Sequence, residues 1–230
     1  MRILLKISGE ALKGEKEFGI DPDFTKIVVE KIKDIYDKGT QMAIVIGGGN
    51  IYRGSNLIAQ GVNAADSHSL SMLSTVFNGV VLKNFLEQAG IQAIVMDPNG
   101  INFVENYNKN NALNHLNNGK IVICTGGIGN PYFTTDTGGV LRSLELGCEL
   151  MIKATKVDGI YDKDPMKYDD AVFFENISYE EVINKNLKIL DQTAVSLARD
   201  NKLKIKVVNL SKDGAIFRAI NGEKEGSTIS

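Results

Sequence analysis

Short runs of consecutive apolar residues alternate along this chain with longer stretches in which apolar positions recur every three or four residues. That alternation predicts βα units feeding a mostly parallel sheet. Strands are expected at Ile3–Ile7, Gln41–Ile46, Ile91–Met96, Lys120–Cys124, Glu149–Lys153 and Lys204–Val208. Their dense Ile, Val and Leu content suits strands covered on both faces. Asp21 followed by Pro22 predicts a helix start, with Phe24, Val28, Ile32 and Ile35 as its inward stripe and Gly39 as its stop. Ser178 and Glu181 form a capping-box pair ahead of Val182 and Ile183. No repeat or Pro/Ser-rich linker interrupts the pattern. Residues 1–230 are therefore expected to form one three-layer α/β/α sandwich around a mostly parallel sheet.

Composition removes several classes of function. A net charge of -2 and a pI near 5.8 argue against a protein built to coat nucleic acid. Cys124 and Cys148, with only 2 histidines, cannot supply a Cys/His zinc cage or a disulfide framework, so both cysteines are expected as small core residues. The apolar run before Lys6 is too short for a secretion signal, and no run approaches the ~20 residues that span a bilayer. A cytoplasmic location without a membrane or nucleic-acid partner is the expectation.

The 23 glycines beside 4 prolines change the picture more. Many fall just after expected strands: Ser8-Gly9 after the first, Gly47-Gly48-Gly49 after the second, and Gly126-Gly127-Ile128-Gly129 after Lys120–Cys124. In a parallel sheet these strand ends share one edge, where ligands bind. Glycine loops that lead into helices leave backbone N–H groups pointing at an anion, so a phosphorylated ligand is expected. Gly119-Lys120 is followed by Ile121, which excludes a P-loop, and the Gly47–Gly54 spacing is not that of a dinucleotide fold.

Polar residues near these loops suit phosphoryl transfer, which needs cations and donors around the moving group. Lys6 interrupts an apolar strand, where an unpaired ammonium would be costly. Lys153 ends another strand, and Arg53 follows the triple glycine with a fork of donors. Thr134-Thr135-Asp136 offers hydroxyls and a carboxylate, and also reads as a helix N-cap.

Four stretches in order, Lys6–Leu12, Gly47–Gly54, Gly129–Asp136 and Lys153–Gly159, resemble bacterial uridylate (UMP) kinases, a family with the amino acid kinase fold. The resemblance runs to Glu223–Ser227, essentially the whole chain. It implies transfer of the ATP γ-phosphoryl group to UMP, with Mg2+ carried on the ATP phosphates and no metal ligands in the protein. It implies catalytic roles for Lys6, Asp136 and Lys153. ATP contacts fall on Lys6, Ile7, Ser8, Gly9, Gly49, Arg53, Thr155, Tyr161 and Asp164. UMP contacts fall on Gly48, His68, Ile128, Gly129, Asn130, Pro131, Tyr132, Phe133, Thr134 and Thr135. The acceptor part is expected to be mainly N-terminal and the ATP-nucleoside part to follow residue 150. The resemblance further implies a homo-oligomer, a hexamer, with GTP and UTP as effectors and Gly14, Phe18 and Gly19 in the GTP-linked stretch.

The chain departs from the family pattern at His68, where a carboxylate is usual, and at Ile128, where a threonine is usual. Asn108, Asn110, Asn111 and Asn114 stand where the family is arginine-rich. Two other readings therefore stay open: a kinase of another small acid or monophosphate, and a nucleotide-binding regulatory protein with weak turnover.

Overall fold

The computed structural model describes residues 1–54 and 58–230. Strands β1 (Arg2–Ile7), β2 (Gln41–Ile46), β3 (Ala93–Asp97), β5 (Ile121–Cys124), β6 (Leu150–Thr155) and β10 (Ile205–Asn209) form where the apolar runs predict them, with ends shifted by a residue or two. Short strands β4 (Glu105–Asn106), β9 (Asn176–Ile177) and β11 (Ser227–Ile229) extend the sheet to the order β4-β3-β5-β2-β1-β6-β10-β11-β9. Every pairing is parallel except β10 with β11. Strands β7 (Ile160–Tyr161) and β8 (Phe173–Phe174) form a separate antiparallel ribbon.

The period-2 alternation of the strands sorts their side chains to two faces. Ile3, Leu5 and Ile7 pack with α2 (Pro22–Tyr36), α3 (Ala64–Gln88) and α8 (Ala215–Ile220). Leu4, Val45, Val122 and Val207 pack with α4 (Lys109–Asn117), α5 (Thr135–Glu145), α6 (Tyr179–Asn184) and α7 (Gln192–Asp200). Three layers result, as the pattern predicts. Fully burying one such Leu or Ile contributes roughly 1.5–3 kcal/mol, so truncation in either layer is costly. Cys124 and Cys148 lie buried within the second cluster, and burial pushes each thiol up to about 12. Among the described residues no helix is long and apolar enough to cross a membrane.

Local signals hold for most helices. The Asp21 carboxylate accepts from the N–H groups of Asp23 and Phe24, Pro22 opens α2, and the Ser178–Glu181 capping box opens α6. One position is corrected. Phe24 is not on the inward stripe of α2: it is 40% exposed and covers Gly14, where a Cβ would lie 2.4 Å from its ring. Thr25, Val28, Val29, Ile32 and Ile35 form the buried face instead. The four short strands β4, β7, β8 and β9 have 2 residues each, below the length at which alternation can be read.

Strand β1 is the pivot of the topology. The chain builds outward from one side of it through β2, β5 and β3, then returns to its other side with β6. Such reversals leave a crevice at the carboxyl ends of the flanking strands. Here those strands are β1 and β6.

Candidate active site

Lys6 and Lys153 are register partners across β1 and β6, which sets two ammonium groups side by side at the crevice. Two buried cations repel unless a counter-charge lies between them. Asp136, in the first turn of α5, provides it. One carboxylate oxygen, Oδ1, is 2.8 Å from Lys6 Nζ, and Oδ2 accepts from Lys153 Nζ at 2.7 Å. Burial raises the cost of ionising Asp136, but the two ammonium groups outweigh it and hold the carboxyl below the usual carboxylate range. Burial lowers the Lys153 pKa against the opposing pull of Asp136. Lys153 Nζ also donates to the carbonyl oxygen of Ile189.

The helix carrying Asp136 is set by Thr134, whose hydroxyl oxygen accepts from the N–H groups of Asp136 and Thr137 as N-cap. Asp191, the N-cap of α7, ties this turn down. It accepts from the Thr134 hydroxyl, from Thr137 Oγ1 at 2.8 Å and from the Ala194 N–H at 2.9 Å. The Thr134 side chain, expected on the acceptor, is thus committed to the helix start. Thr135 is the first helical residue beside it, at a terminus whose dipole favours anions.

The glycine loops meet beside this charge cluster. A Cβ on Gly9 would lie 2.2 Å from Asn50 Oδ1 and 2.6 Å from the Gly47 carbonyl oxygen, so only glycine lets the loops after β1 and β2 touch. Asn78 of α3 locks them, donating to the Gly47 carbonyl at 2.7 Å and to Asn50 Oδ1 at 2.6 Å. Asn50 in turn donates to the Gly19 carbonyl at 2.9 Å. Gly48 lies against Ser71 and Ser74 of the same helix, whereas Gly49 is open and has only the Arg53 side chain near it. Ile7 and Ser8 lead into the Gly9 turn, and Ser8 Oγ accepts from the Glu10 N–H.

Arg53 is held by Glu10, which also pairs with Lys13 at 3.2 Å and Lys156 at 3.8 Å. Partial burial of Glu10 raises its pKa, but Arg53 and Lys13 bring it below its ordinary value. Around the third loop, Gly126 donates to Thr75 Oγ1 at 2.8 Å, and Thr125 donates to buried Asp97 at 3.0 Å. Ile128, Gly129 and Pro131 are half-buried, while Asn130, Tyr132 and Phe133 are exposed along the mouth. Tyr132 takes φ 71, a left-handed conformation uncommon outside glycine, and its ring stacks at 5.1 Å on His68 from α3. Half-buried His68 therefore meets the loop that carries Tyr132, whereas Asp66 is exposed.

Residues 1–209 match the model of the amino acid kinase family. The chain belongs to the amino acid kinase family. It is 42% identical over 229 residues to the uridylate kinase of Xanthomonas oryzae pv. oryzae, covering 99% of this chain and 95% of that one. Its fold superposes on the UMP kinase of Bacillus anthracis with TM-score 0.96 at 33% identity, covering 100% of this chain and 95% of that one. The UMP kinase of Ureaplasma parvum gives TM-score 0.92 at 31% identity over 100% and 98% of the two chains.

In this member of the amino acid kinase family a cavity of about 360 Å³ is lined by residues from the segments that follow β6 and β10. Tyr161 lines it with Asp158, Phe173, Lys212, Lys224 and Gly226. The other two positions expected beside the ATP nucleoside are placed differently. Thr155 Oγ1 donates to the Val157 carbonyl at 2.8 Å, and Asp164 accepts from the Met166 N–H at 3.0 Å within its own turn. Neither lines the cavity. Asp158 does, fixed by Lys212 at 2.8 Å and by Asn209 at 2.9 Å.

Asn78, Thr75, Asp97, Asp191 and Glu10 also build the site, without a chemical motif of their own in the sequence. A polar residue on a helix face turned to the protein was the available signal for Asn78 and Thr75. The rest depend on which loops meet, which no local pattern encodes.

Proposed function

We propose that this chain is a uridylate kinase that moves the γ-phosphoryl group of ATP to UMP, giving UDP and ADP. The observation that carries the reading is Asp136 held between Lys6 and Lys153 where three glycine loops converge. Phosphoryl transfer needs positive charge fixed in advance around the equatorial oxygens of the moving group, and two ammonium groups locked to rigid strands supply it without reorganisation. Asp136, kept ionised, is a poor proton acceptor and serves to orient the lysines. No stronger base is required, because the attacking group is a phosphate oxygen already anionic near neutral pH (second pKa about 6).

In this reading Lys6 to Gly9, Gly49 and Arg53 hold the ATP phosphates, and Tyr161 with its cavity receives the nucleoside. The segment from Ile128 to Thr135, with Gly48 and His68, receives UMP, and the N-terminus of α5 faces its phosphate. Among the described residues no group of three His, Cys, Asp or Glu side chains is placed to hold a metal ion, and both Asp136 oxygens face ammonium groups. This donor set fits Mg2+ carried by the nucleotide's own phosphates, where the ion would neutralise charge. The chain's part is to grip those phosphates through Lys6, the Gly9 turn and Arg53.

Assembly of several copies is supported by an apolar stripe on α3, where Leu70, Leu73 and Phe77 are each more than 40% exposed, and a hexamer is the number that the resemblance implies. Response to GTP through Gly14, Phe18 and Gly19 is supported by the pair of hydrogen bonds that Gly19 exchanges with Asn50, one donated by each, since Asn50 is also bonded to Asn78 in the locked loops. A cytoplasmic setting suits a soluble nucleotide substrate.

The decisive experiment measures ADP release with Mg2+-ATP against UMP, CMP, dUMP and small carboxylic acids. UMP-dependent turnover well above the others is expected. Turnover only with another acceptor, or nucleotide binding without turnover, would overturn the reading.

A further inference from the structure

Behind the acceptor loop lies a buried cation that phosphoryl transfer does not use. Arg142, on α5, is 4% exposed. Its Nη1 is 2.6 Å from Glu145 Oε2, and the guanidinium carbon lies 3.7 Å from the centre of the Tyr107 ring. The Tyr107 hydroxyl donates to the same Glu145 oxygen at 2.7 Å. Nη2 reaches the Gly127 carbonyl oxygen at 3.5 Å, and buried Nε has no partner among the described residues. An arginine buried with one donor unsatisfied is costly, and the group it reaches is the tip of the acceptor loop.

That loop needs an anchor from below. Gly126, Gly127 and Gly129 take φ of 65, 58 and 87, a run of left-handed positions. Gly126 is fixed at its N–H by Thr75, and Gly129 donates to the Gly126 carbonyl at 3.0 Å. A Cβ on Gly127 would meet nothing within 4 Å, while the Gly127 backbone lies against Gly138 of α5, whose Cβ position is 3.6 Å from Gly127 Cα. The carbonyl of Gly127 faces the guanidinium, which Tyr107 supports on its flat side and Glu145 on its edge.

We propose that Arg142 is a positioning residue for the acceptor: it fixes the Gly126–Gly129 turn from beneath and so sets how the loop meets the UMP phosphate. The proposal rests on the assignment of this loop to the acceptor.

The test is steady-state kinetics on the full chain with UMP and ATP varied separately. Arg142→Met is expected to raise KM for UMP about tenfold or more while KM for ATP stays within about twofold, the size of effect that a misplaced binding loop produces. Arg142→Lys should recover part of that loss, since it keeps the charge without the flat stack. Tyr107→Phe, which keeps the ring, should stay within about twofold of wild type. Gly127→Ala adds a Cβ in open space at a left-handed position and should reproduce the rise in KM for UMP through the loop itself. A folded Arg142→Met variant with unchanged KM for UMP, or with both KM values raised alike, overturns the proposal. If Arg142→Met fails to fold, Gly127→Ala and Tyr107→Leu decide: unchanged KM for UMP in both overturns it. A wild type without UMP-dependent turnover overturns the functional reading itself, and this inference with it.

Discussion

Two carboxylates gather cations at the carboxyl edge of the sheet, in opposite surroundings. Asp136 sits between Lys6 and Lys153 with all three side chains 13% exposed or less, each rooted in a strand or a capped helix turn. Glu10 gathers Arg53, Lys13 and Lys156 from loops and a short helix, and the Arg53 and Lys156 side chains are 59% and 69% exposed. The first cluster cannot relax into water, so its geometry is fixed before any ligand arrives. The second can exchange Glu10 for solvent or for an incoming phosphate at little cost. Burial rather than residue type separates a permanent scaffold from a releasable clamp.

The largest test of that contrast is Asp136→Asn. It leaves two buried ammonium groups without a counter-charge, so a stability loss of about 3–5 kcal/mol is expected in denaturant unfolding. Turnover should fall about 10²- to 10³-fold as the lysines lose their alignment. Lys6→Met should lower kcat by a similar factor but cost less stability, because Asp136 keeps Lys153. Equal stability losses in the two variants would contradict the idea that one carboxylate restrains both cations.

Gly9→Ala ranks next. The added Cβ would meet Asn50 and the Gly47 carbonyl inside 3 Å, and a cost of about 1–3 kcal/mol is expected in thermal unfolding. Gly49→Ala, with nothing closer than Arg53 at 3.8 Å, should leave stability within about 0.5 kcal/mol. A matching loss at both positions would mean that the loops are not locked where the Asn78 contacts lie.

In the exposed cluster the expected effect is smaller than at Gly9: Glu10→Gln should change stability by under about 1 kcal/mol and shift KM for ATP more than kcat. The pH response separates the clusters again. The folded-state pKa of Asp136 is depressed below its ordinary 3.8, so its contribution is present above that value and lost as pH falls through the folded pKa. Acid unfolding of the wild type should therefore steepen below about pH 4, and the Asp136→Asn variant should lose that steepening.

Much of this arrangement is legible in the chain because its signals are local. The apolar runs mark the six principal strands, the Asp21 and Ser178 caps start their helices, and the glycine loops mark the ligand edge. Lys6 stands out in sequence because an ammonium in a buried strand requires a partner. The partner itself is not local: Asp136 and Lys153 join Lys6 only through the β1–β6 register and the start of α5. Asn78 escapes notice for a similar reason, since its bonds go to loops 28 and 31 residues away. Phe24 misleads because its spacing fits a buried stripe, while the glycine it covers lies outside that helix. The hydrogen bonds of Thr155 and Asp164 are local, to the Val157 carbonyl and from the Met166 N–H, and so within reach of a sequence pattern.

The central place of β1 has a consequence for how the chain is made. During synthesis β1 can pair early with β2, but its other edge waits for β6, which follows β2, β3, β4 and β5 in the chain. Through that interval an apolar strand carrying Lys6 shows an open row of backbone donors and acceptors, the kind of surface on which nascent chains aggregate. Closing that edge brings Lys153 to Lys6. The pairing that covers the open edge of β1 is thus also the one that sets Lys153 beside Lys6.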